Sequence, residues 1–411
     1  MQDKMSYKPA NPFFTGISIP DEYFCDRKIE TEDILKRIEN GKNIVLKSPR
    51  RIGKTCLIMH VFEQEEVKKK YNTLFVDVNG TRDMDGFVAE FKNAFLDAPF
   101  ARSKRGIKDL AELFQRMYVQ VNLSPAGQLD GFRLGLSPAQ GASFTLSEMF
   151  KFLEHTRKPN ILVFDEFQKI KVYPEDAAAI LRTHVQKLNN TKIIFSGSSR
   201  HLLHRMFEYA DEPFYRSASS MDLDLISLET YKEFCKDLFS RYKKEIADEA
   251  VDLTYHLFSG NTYDMQEVMR ETFQDLSKGK KAERADVVRA VQILLDQRNE
   301  EFRDRLDKLD NLKARRVLFA IAEEGIATGL TSTAVIKRYN LDNASSVQNA
   351  IKLLSDDKTN FIKKIGKASY CLQDRFFELW TARRDRRLES KIERAEARFL
   401  RELSYKKDDY V

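Results

Sequence analysis

Along the first half of the chain, short apolar runs alternate with helical patterns. Residues 43–46, 73–78, 160–164 and 192–196 are nearly continuous stretches of Val, Ile, Leu and Phe. Runs of this length and composition read as strands buried on both faces. Helix-spaced apolar positions follow the first two, at 54–70 and 84–96. Buried strands separated by helices predict a parallel sheet covered on both sides, an α/β core. Residues 98–142 interrupt that rhythm. There, 118–123 and 131–136 alternate in period two around a turn at Pro125, Ala126 and Gly127, which predicts a hairpin inserted into the core. From about residue 227 the pattern is almost purely helical. A last compact stretch carries helices at 314–323, 332–338 and 344–356, then short strands at 361–364 and 369–372 joined by Ile365, Gly366 and Lys367. Three helices closed by a hairpin are the order of a winged helix. Residues 383–407 read as a charged helix of both signs.

These patterns predict four regions: a core at 1–226, a helical lid at 227–305, a winged helix at 306–380 and a charged C-terminal helix at 381–411. Composition agrees with a chain of two or three domains, since 411 residues are 42% apolar and 32% charged. Lys and Arg number 69 against 63 Asp and Glu, a net charge of +6. An excess that small argues for no nucleic-acid partner, so any such case rests on local clustering. Cys25, Cys56, Cys235 and Cys371 are scattered with no CxxC pair. They exclude a disulfide scaffold, argue against a zinc site and predict a reducing compartment. The first residues carry Asp3, Lys4, Lys8 and Pro9 in place of an apolar leader, and no run approaches the roughly 20 apolar residues a membrane span requires. The expected location is cytoplasmic.

The strongest motif runs from Ser48 through Pro49, Arg50, Arg51 and Ile52 to Gly53, Lys54 and Thr55, directly after a predicted strand and opening a predicted helix. It is the phosphate loop GxxxxGK[ST] with Ser48 at the first glycine position. Its backbone N–H groups would cradle phosphate oxygens, aided by the positive end of the following helix. The expected nucleotide-binding set is Ser48, Pro49, Arg50, Arg51, Ile52, Gly53, Lys54, Thr55 and Cys56. Lys54 would contact the β- and γ-phosphates, and Thr55 would offer its hydroxyl to Mg²⁺. If position 48 requires positive φ, Ser48 is strained there. The complementary half is the run ending in Asp165 and Glu166. Asp165 is expected to hold Mg²⁺ with Thr55, and Glu166 to orient and deprotonate an attacking water. At the next strand end, Ser196 or Ser198 would sense the γ-phosphate; a plain Gly/Ser turn is the alternative.

Residues 49–55, 163–168 and 197–199 resemble the archaeal-type ATPases of the STAND/AAA+ P-loop class. Asn11 to Phe13, with Phe24, Cys25, Asp26, Arg27 and Glu30, are similar to that family's lead-in to the nucleotide base, so Asp26 and Arg27 join the expected binding set. The resemblance spans about residues 11–380. It implies a parallel-sheet P-loop NTPase core (AAA+-like), an all-helical lid and a winged-helix domain, with ATP and Mg²⁺ as ligands and nucleotide state coupled to domain arrangement. Arg216 matches the family's arginine after the sensor strand, a stabiliser of γ-phosphate charge in cis or from a neighbouring subunit. Two positions depart from the pattern, Tyr215 for a glycine and Thr262 for a proline. The first leaves Arg216 equally open to a surface pairing with Asp211 or Glu212.

In the winged helix, Ser345, Ser346, Gln348, Asn349 and Lys352 are the polar positions of the third helix, over a stripe of Val347, Ile351 and Leu354. Lys363, Lys364 and Lys367 lie on the wing, and Arg383, Arg384, Arg386 and Arg387 follow in the tail. These residue types suit contacts to double-stranded DNA. Asp356, Asp357, Asp385 and Glu389 dilute them, so protein contact, self-association or autoinhibition stay open. The chain reads as a slow ATPase acting as a nucleotide-dependent switch. Its alternatives are a DNA-binding protein with structural ATP and a protein-interaction component of a defence or regulatory assembly.

Overall fold

A computed structural model describes residues 8–116, 119–123, 129–134, 142–174, 176–356 and 359–408. They form two compact units, Gly16–Leu225 and a second made of Met1–Thr15 with Ile226–Val411.

The first unit is built on a five-stranded parallel sheet. Its strands are β1 (Ile44–Lys47), β2 (Asn72–Asp77), β5 (Asn160–Asp165), β6 (Thr191–Gly197) and β7 (Ser219–Asp222), in the order β2-β5-β6-β1-β7. Side chains alternate between its faces, as the strand period requires. On one face Ile44, Leu46, Ile161, Val163 and Ile194 pack against α1 (Lys28–Glu39), α2 (Lys54–Glu63) and α3 (Glu65–Lys70). On the other, Val45, Leu74, Leu162, Phe164 and Phe195 pack against α4 (Met84–Asp97), α5 (Lys104–Arg116), α6 (Ala142–Glu154), α7 (Ala177–Val185) and α8 (Arg200–Glu208). The doubly covered parallel sheet expected from the apolar runs is therefore present.

Four local differences have physical causes. The helix expected over 54–70 breaks at Gln64, whose backbone is extended (ψ 132°) and whose amide turns back onto the His60 carbonyl at 3.1 Å. Strand β7 escaped the apolar pattern because Met221 is its one buried position on a polar edge. The stretch 98–142 holds more than a hairpin: α5 precedes it, with Leu110, Leu113 and Phe114 fully buried at helical spacing. The hairpin itself is β3 (Val119–Leu123) against β4 (Leu129–Leu134), antiparallel, with Val119 opposite Leu134. Its expected turn, Pro125 to Gly127, lies outside the described residues.

In the second unit, Phe13 is fully buried among Phe234, Phe239 and Phe273. Burial of such a ring is worth about 1.5–3 kcal/mol. The amide of Asn11 donates to the Arg270 carbonyl, and Arg270 donates to that of Phe13. The residues expected to lead into the nucleotide base therefore fasten the N-terminal segment to helices. These are α9 (Leu228–Arg241), α10 (Asp248–Leu257), α11 (Thr262–Asp275), α12 (Arg284–Gln297) and α13 (Asn299–Asp307), with a short parallel pair, β8 (Glu245–Ile246) and β9 (Lys281–Ala282). Thr262, where proline was expected, opens α11. The turn before it is made by Gly260 at φ 70° and by Asn261, whose side chain caps the helix.

The winged helix follows: α14 (Leu312–Glu324), β10 (Ala327–Thr328), α15 (Thr333–Arg338), α16 (Ala344–Ser355), β11 (Ile362–Gly366) and β12 (Ser369–Leu372), with sheet order β10-β12-β11. Trp380, on α17 (Arg375–Arg384), is buried beside Phe302 and Phe377 and donates to Asn299 at 3.0 Å. The tail is not one solvated helix. It breaks into α18 (Leu388–Glu393) and α19 (Ala395–Asp408), and α19 returns to pack Phe399 on Tyr255 and Tyr405 beside Gly366.

An ion cluster holds this return in place. Glu378 of α17 is fully buried and contacts Arg375, Lys391 of α18 and Arg398 of α19. Burial alone would push its carboxyl up, but the charges of Arg375, Arg398 and Lys391 outweigh burial and hold it down at about 2. A depressed carboxyl contributes stability that is complete above its unfolded pKa, about 4.3, and is lost as pH falls towards the folded value. Removing one member of a buried ion cluster typically costs about 3–5 kcal/mol. Glu378→Gln is therefore expected to lower the guanidinium unfolding midpoint read by Trp380, the chain's single tryptophan. The substitution also removes the part of the acid transition between about pH 4 and pH 2 that this carboxyl carries. An unchanged midpoint would show that the cluster does not hold the tail.

Candidate nucleotide site

The carboxyl ends of β1, β5 and β6 are neighbours because β6 pairs with both others. In parallel α/β sheets such ends are where ligands sit. The loop after β1 carries the phosphate-loop residues. Arg51 (φ 65°) and Gly53 (φ 94°) both take left-handed backbone, and Gly53 caps α2, which starts at Lys54. An added Cβ at Gly53 would meet open space, so glycine serves conformation there and not room. Ser48 is fully buried without positive φ, and its N–H faces the Gly197 carbonyl at 3.4 Å. The strain expected at Ser48 is absent and falls on Arg51 instead.

Asp165 and Glu166 organise the polar cluster. Asp165 accepts from the Thr55 hydroxyl at 2.9 Å, the Ser196 hydroxyl at 2.6 Å and the Glu166 N–H at 3.0 Å. Glu166 sits at φ 53°, a left-handed turn costly for a side-chain-bearing residue. Its carboxylate accepts from Gln168 at 2.6 Å and Ser198 at 2.8 Å, and its other oxygen lies 3.7 Å from the buried ammonium of Lys54. Burial would raise the Glu166 carboxyl. Lys54, the bonds from Ser198 and Gln168, and Arg50 outweigh it and hold the group below the usual carboxylate range. Arg50 itself is exposed and reaches the Ser198 hydroxyl at 3.4 Å.

The structure thus brings Lys54, Thr55, Asp165, Glu166, Ser196, Ser198 and Arg50 into one network. It places Ile52, Pro49, Cys56, Asp26, Arg27 and Arg216 outside it. Ile52 packs in the hydrophobic core behind the loop, Pro49 is half-buried, and the Cys56 thiol, pushed up by burial, faces the Gly16 carbonyl. The guanidinium of Arg27 is taken by Glu30 at 2.6 Å and the Asp224 carbonyl at 2.7 Å, and Asp26 is exposed. Arg216 is exposed above the ring of Tyr215, and Asp211 and Glu212 pair with Arg205 and Lys171 instead. Neither the cluster nor the expected surface pairing holds Arg216.

Three participants carried no assigned role in the sequence. Gln168, two residues past Glu166 in a 3₁₀ turn, folds back onto it. Asp77 ends β2 opposite Asp165; burial first, then Asp165 and Glu166, push its carboxyl up. Gly197 ends β6, and a Cβ there would stand 2.0 Å from Gln168 Oε1. The acid at the end of a second apolar run was a readable signal for Asp77; the other two become visible only when β5 and β6 pair. Overpacking costs about 1–3 kcal/mol. Gly197→Ala should therefore lower the calorimetric unfolding temperature, and adding Gln168→Ala should restore most of the loss, a coupling of about 0.5–3 kcal/mol. Additive effects would refute the contact.

A family model described as "ATPase domain predominantly from Archaea" matches residues 24–268, and one described as "Probable winged helix domain" matches residues 300–383. Among solved structures, a Walker-type ATPase of Pyrococcus abyssi is 17% identical, covering 90% of this chain and 99% of that one with a TM-score of 0.60. The ORC2 protein of Aeropyrum pernix, in ADPNP–ADP complexes, is 13% identical, covering 91% and 95% with a TM-score of 0.51. No curated protein matches by sequence. Among the described residues no helix is long and apolar enough to cross a membrane.

Proposed function

The chain belongs to the family of ATPase domains found predominantly in Archaea, and from that premise we propose that it binds and slowly hydrolyses ATP as a switch for its winged helix. One observation carries the reading. Lys54, Thr55, Asp165 and Glu166 converge on the helix-opening loop, and the last of these is held by three partners. The residues fit magnesium-bound ATP: a backbone cradle, a buried ammonium for phosphate charge, and a hydroxyl and carboxylate side by side for the cation. Mg²⁺ would neutralise charge on the β- and γ-phosphates. Glu166 is ionised at neutral pH and can accept a proton from water. Its depressed affinity for that proton makes it a weak base, which supports slow turnover. Ser198 donates to Glu166 and Arg50 reaches the Ser198 hydroxyl, which puts a hydroxyl and a guanidinium suited to γ-phosphate charge beside that carboxylate. Arg216, being exposed, suits a contribution from a neighbouring subunit.

For the partner, duplex DNA is favoured by the open polar face of α16. Ser345, Gln348, Asn349 and Lys352 are exposed there, as are Lys364 and Lys367 on the wing, and none of these lysines has a carboxylate partner among the described residues. Lys363 is a correction to the expected contact set, because its ammonium lies 3.1 Å from buried Glu402. Three of the four expected tail arginines are likewise occupied: Arg383 pairs with Asp296, Arg384 covers Trp380 and Arg387 pairs with Glu323, while Arg386 is exposed.

Lys54→Ala should abolish Mg²⁺-dependent ATP binding, whereas Glu166→Gln should keep binding and lose turnover by about 10²-fold or more. Calorimetric titration and phosphate release check both, and unaltered binding in the Lys54 variant sinks the reading. Neutralising Lys364 and Lys367 should weaken duplex binding and flatten its salt dependence by about two charges. An unchanged slope, with a stoichiometric protein recovered instead, would place the partner surface with proteins.

A further inference from the structure

The tail carries cations at a regular interval that its composition hides. Arg387, Lys391, Arg394, Arg398 and Arg401 are spaced four, three, four and three residues apart. That is the spacing of one helix face, and it is kept across the break between α18 and α19. The stripe forms one wall of a cavity of about 690 Å³ in the second unit. The opposite wall is the end of α14 with Gly325, and the end of α15 with Arg338 and Tyr339. Cavities of this size suit small molecules.

Six lining cations face two lining carboxylates, and the pairing leaves a definite remainder. Glu323 is engaged by Arg387 at 2.6 Å, and Glu324 by Arg338 at 3.1 Å. Behind the wall, Glu378 and Glu402 answer Lys391 and Arg398. Arg394 and Arg401 are exposed and have no carboxylate partner among the described residues. On the floor, Nε of Arg398 is buried without a hydrogen-bond partner. It adjoins space kept open by Gly325, where an added Cβ would come within 3.5 Å of that nitrogen, 3.4 Å of Lys391 Nζ and 3.2 Å of Glu378 Oε1, a carboxylate already engaged by Arg375, Lys391 and Arg398. The site therefore offers an unsatisfied donor at depth and two unpaired guanidinium groups at its mouth, the donor type best matched to phosphate.

We propose that this cavity binds a phosphate-bearing anion with several charges, seated on Arg394 and Arg401 with its end towards Arg398 and Gly325. The ligand would bridge the C-terminal helices and the winged helix, both of which line the cavity. Free oligophosphates and the backbone of a nucleic acid share this chemistry. The cavity shares no residue with the phosphate loop.

The test uses the full chain carrying Lys54→Ala, so that the phosphate loop does not compete, with inorganic tripolyphosphate and a short DNA duplex as separate probes in calorimetric titrations. The side chains of Arg394 and Arg401 have no carboxylate partner among the described residues, so Arg394→Ser/Arg401→Ser should leave Trp380 fluorescence unchanged. The expected result is a roughly tenfold or greater loss of tripolyphosphate affinity in that variant, with no loss on Lys364→Ala/Lys367→Ala. If duplex affinity falls equally and tripolyphosphate competes with it, the natural ligand is nucleic-acid backbone; if duplex binding is untouched, it is a free anion. The proposal is overturned if tripolyphosphate does not bind, or if neither probe responds to the arginine substitutions in a folded chain.

Discussion

A carboxylate at the end of a strand buried on both faces must find donors within the protein or lose the hydration it gave up. Asp165 finds three, and each comes from a different part of the fold. Thr55 is delivered by the helix after β1, Ser196 by β6, and the N–H of Glu166 by the turn that ends β5 itself. The bond from Thr55 requires the phosphate loop to close over the sheet end, and the bond from Ser196 requires β5 and β6 in their observed register. The left-handed backbone of Glu166 aims its N–H at Asp165 while its side chain runs the other way, to Lys54, Ser198 and Gln168. One buried acid thus fixes the position of the next.

The same constraint explains why glycine stands at 197. Gln168 must come close to β6 to reach Glu166, and its amide oxygen occupies the place where a side chain on that strand would begin. Close packing admits no compromise at such a distance. The cost of the arrangement is an amide oxygen left buried without a donor, which confines Gln168 to the single orientation that serves Glu166.

Much of this was legible beforehand, and the reason is periodicity. Strands buried on both faces are uniformly apolar, so β1, β2, β5 and β6 announce themselves, and an acid pair at the end of one marks a site. What did not announce itself depended on partners distant in sequence. The edge strand β7 has only Met221 to bury, and β10 is two residues long. Ser48 breaks the phosphate-loop pattern without strain, because the conformational demand falls three residues later on Arg51. Asp26 and Arg27 match a family pattern by position, yet the guanidinium of Arg27 is used within its own helix start and by the Asp224 carbonyl.

Charge was the least legible property, since a charged side chain reads alike whether solvated, paired or buried. Lys363, Lys364 and Lys367 are equivalent in sequence, but on β11 successive side chains point to opposite faces. Lys363 is therefore turned to Glu402 on α19 while Lys364 is left outside. Glu402 can receive it only because α19 folds back, and α19 folds back over Glu378, which three cations from three helices must surround. The buried acids of the tail thus decide which basic residues remain for a partner. They consume Lys363, Lys391 and most of Arg398, and leave the wing tip and two arginines of the stripe. A net charge of +6 gives no hint of this division, which follows from which carboxylates the fold has taken out of water.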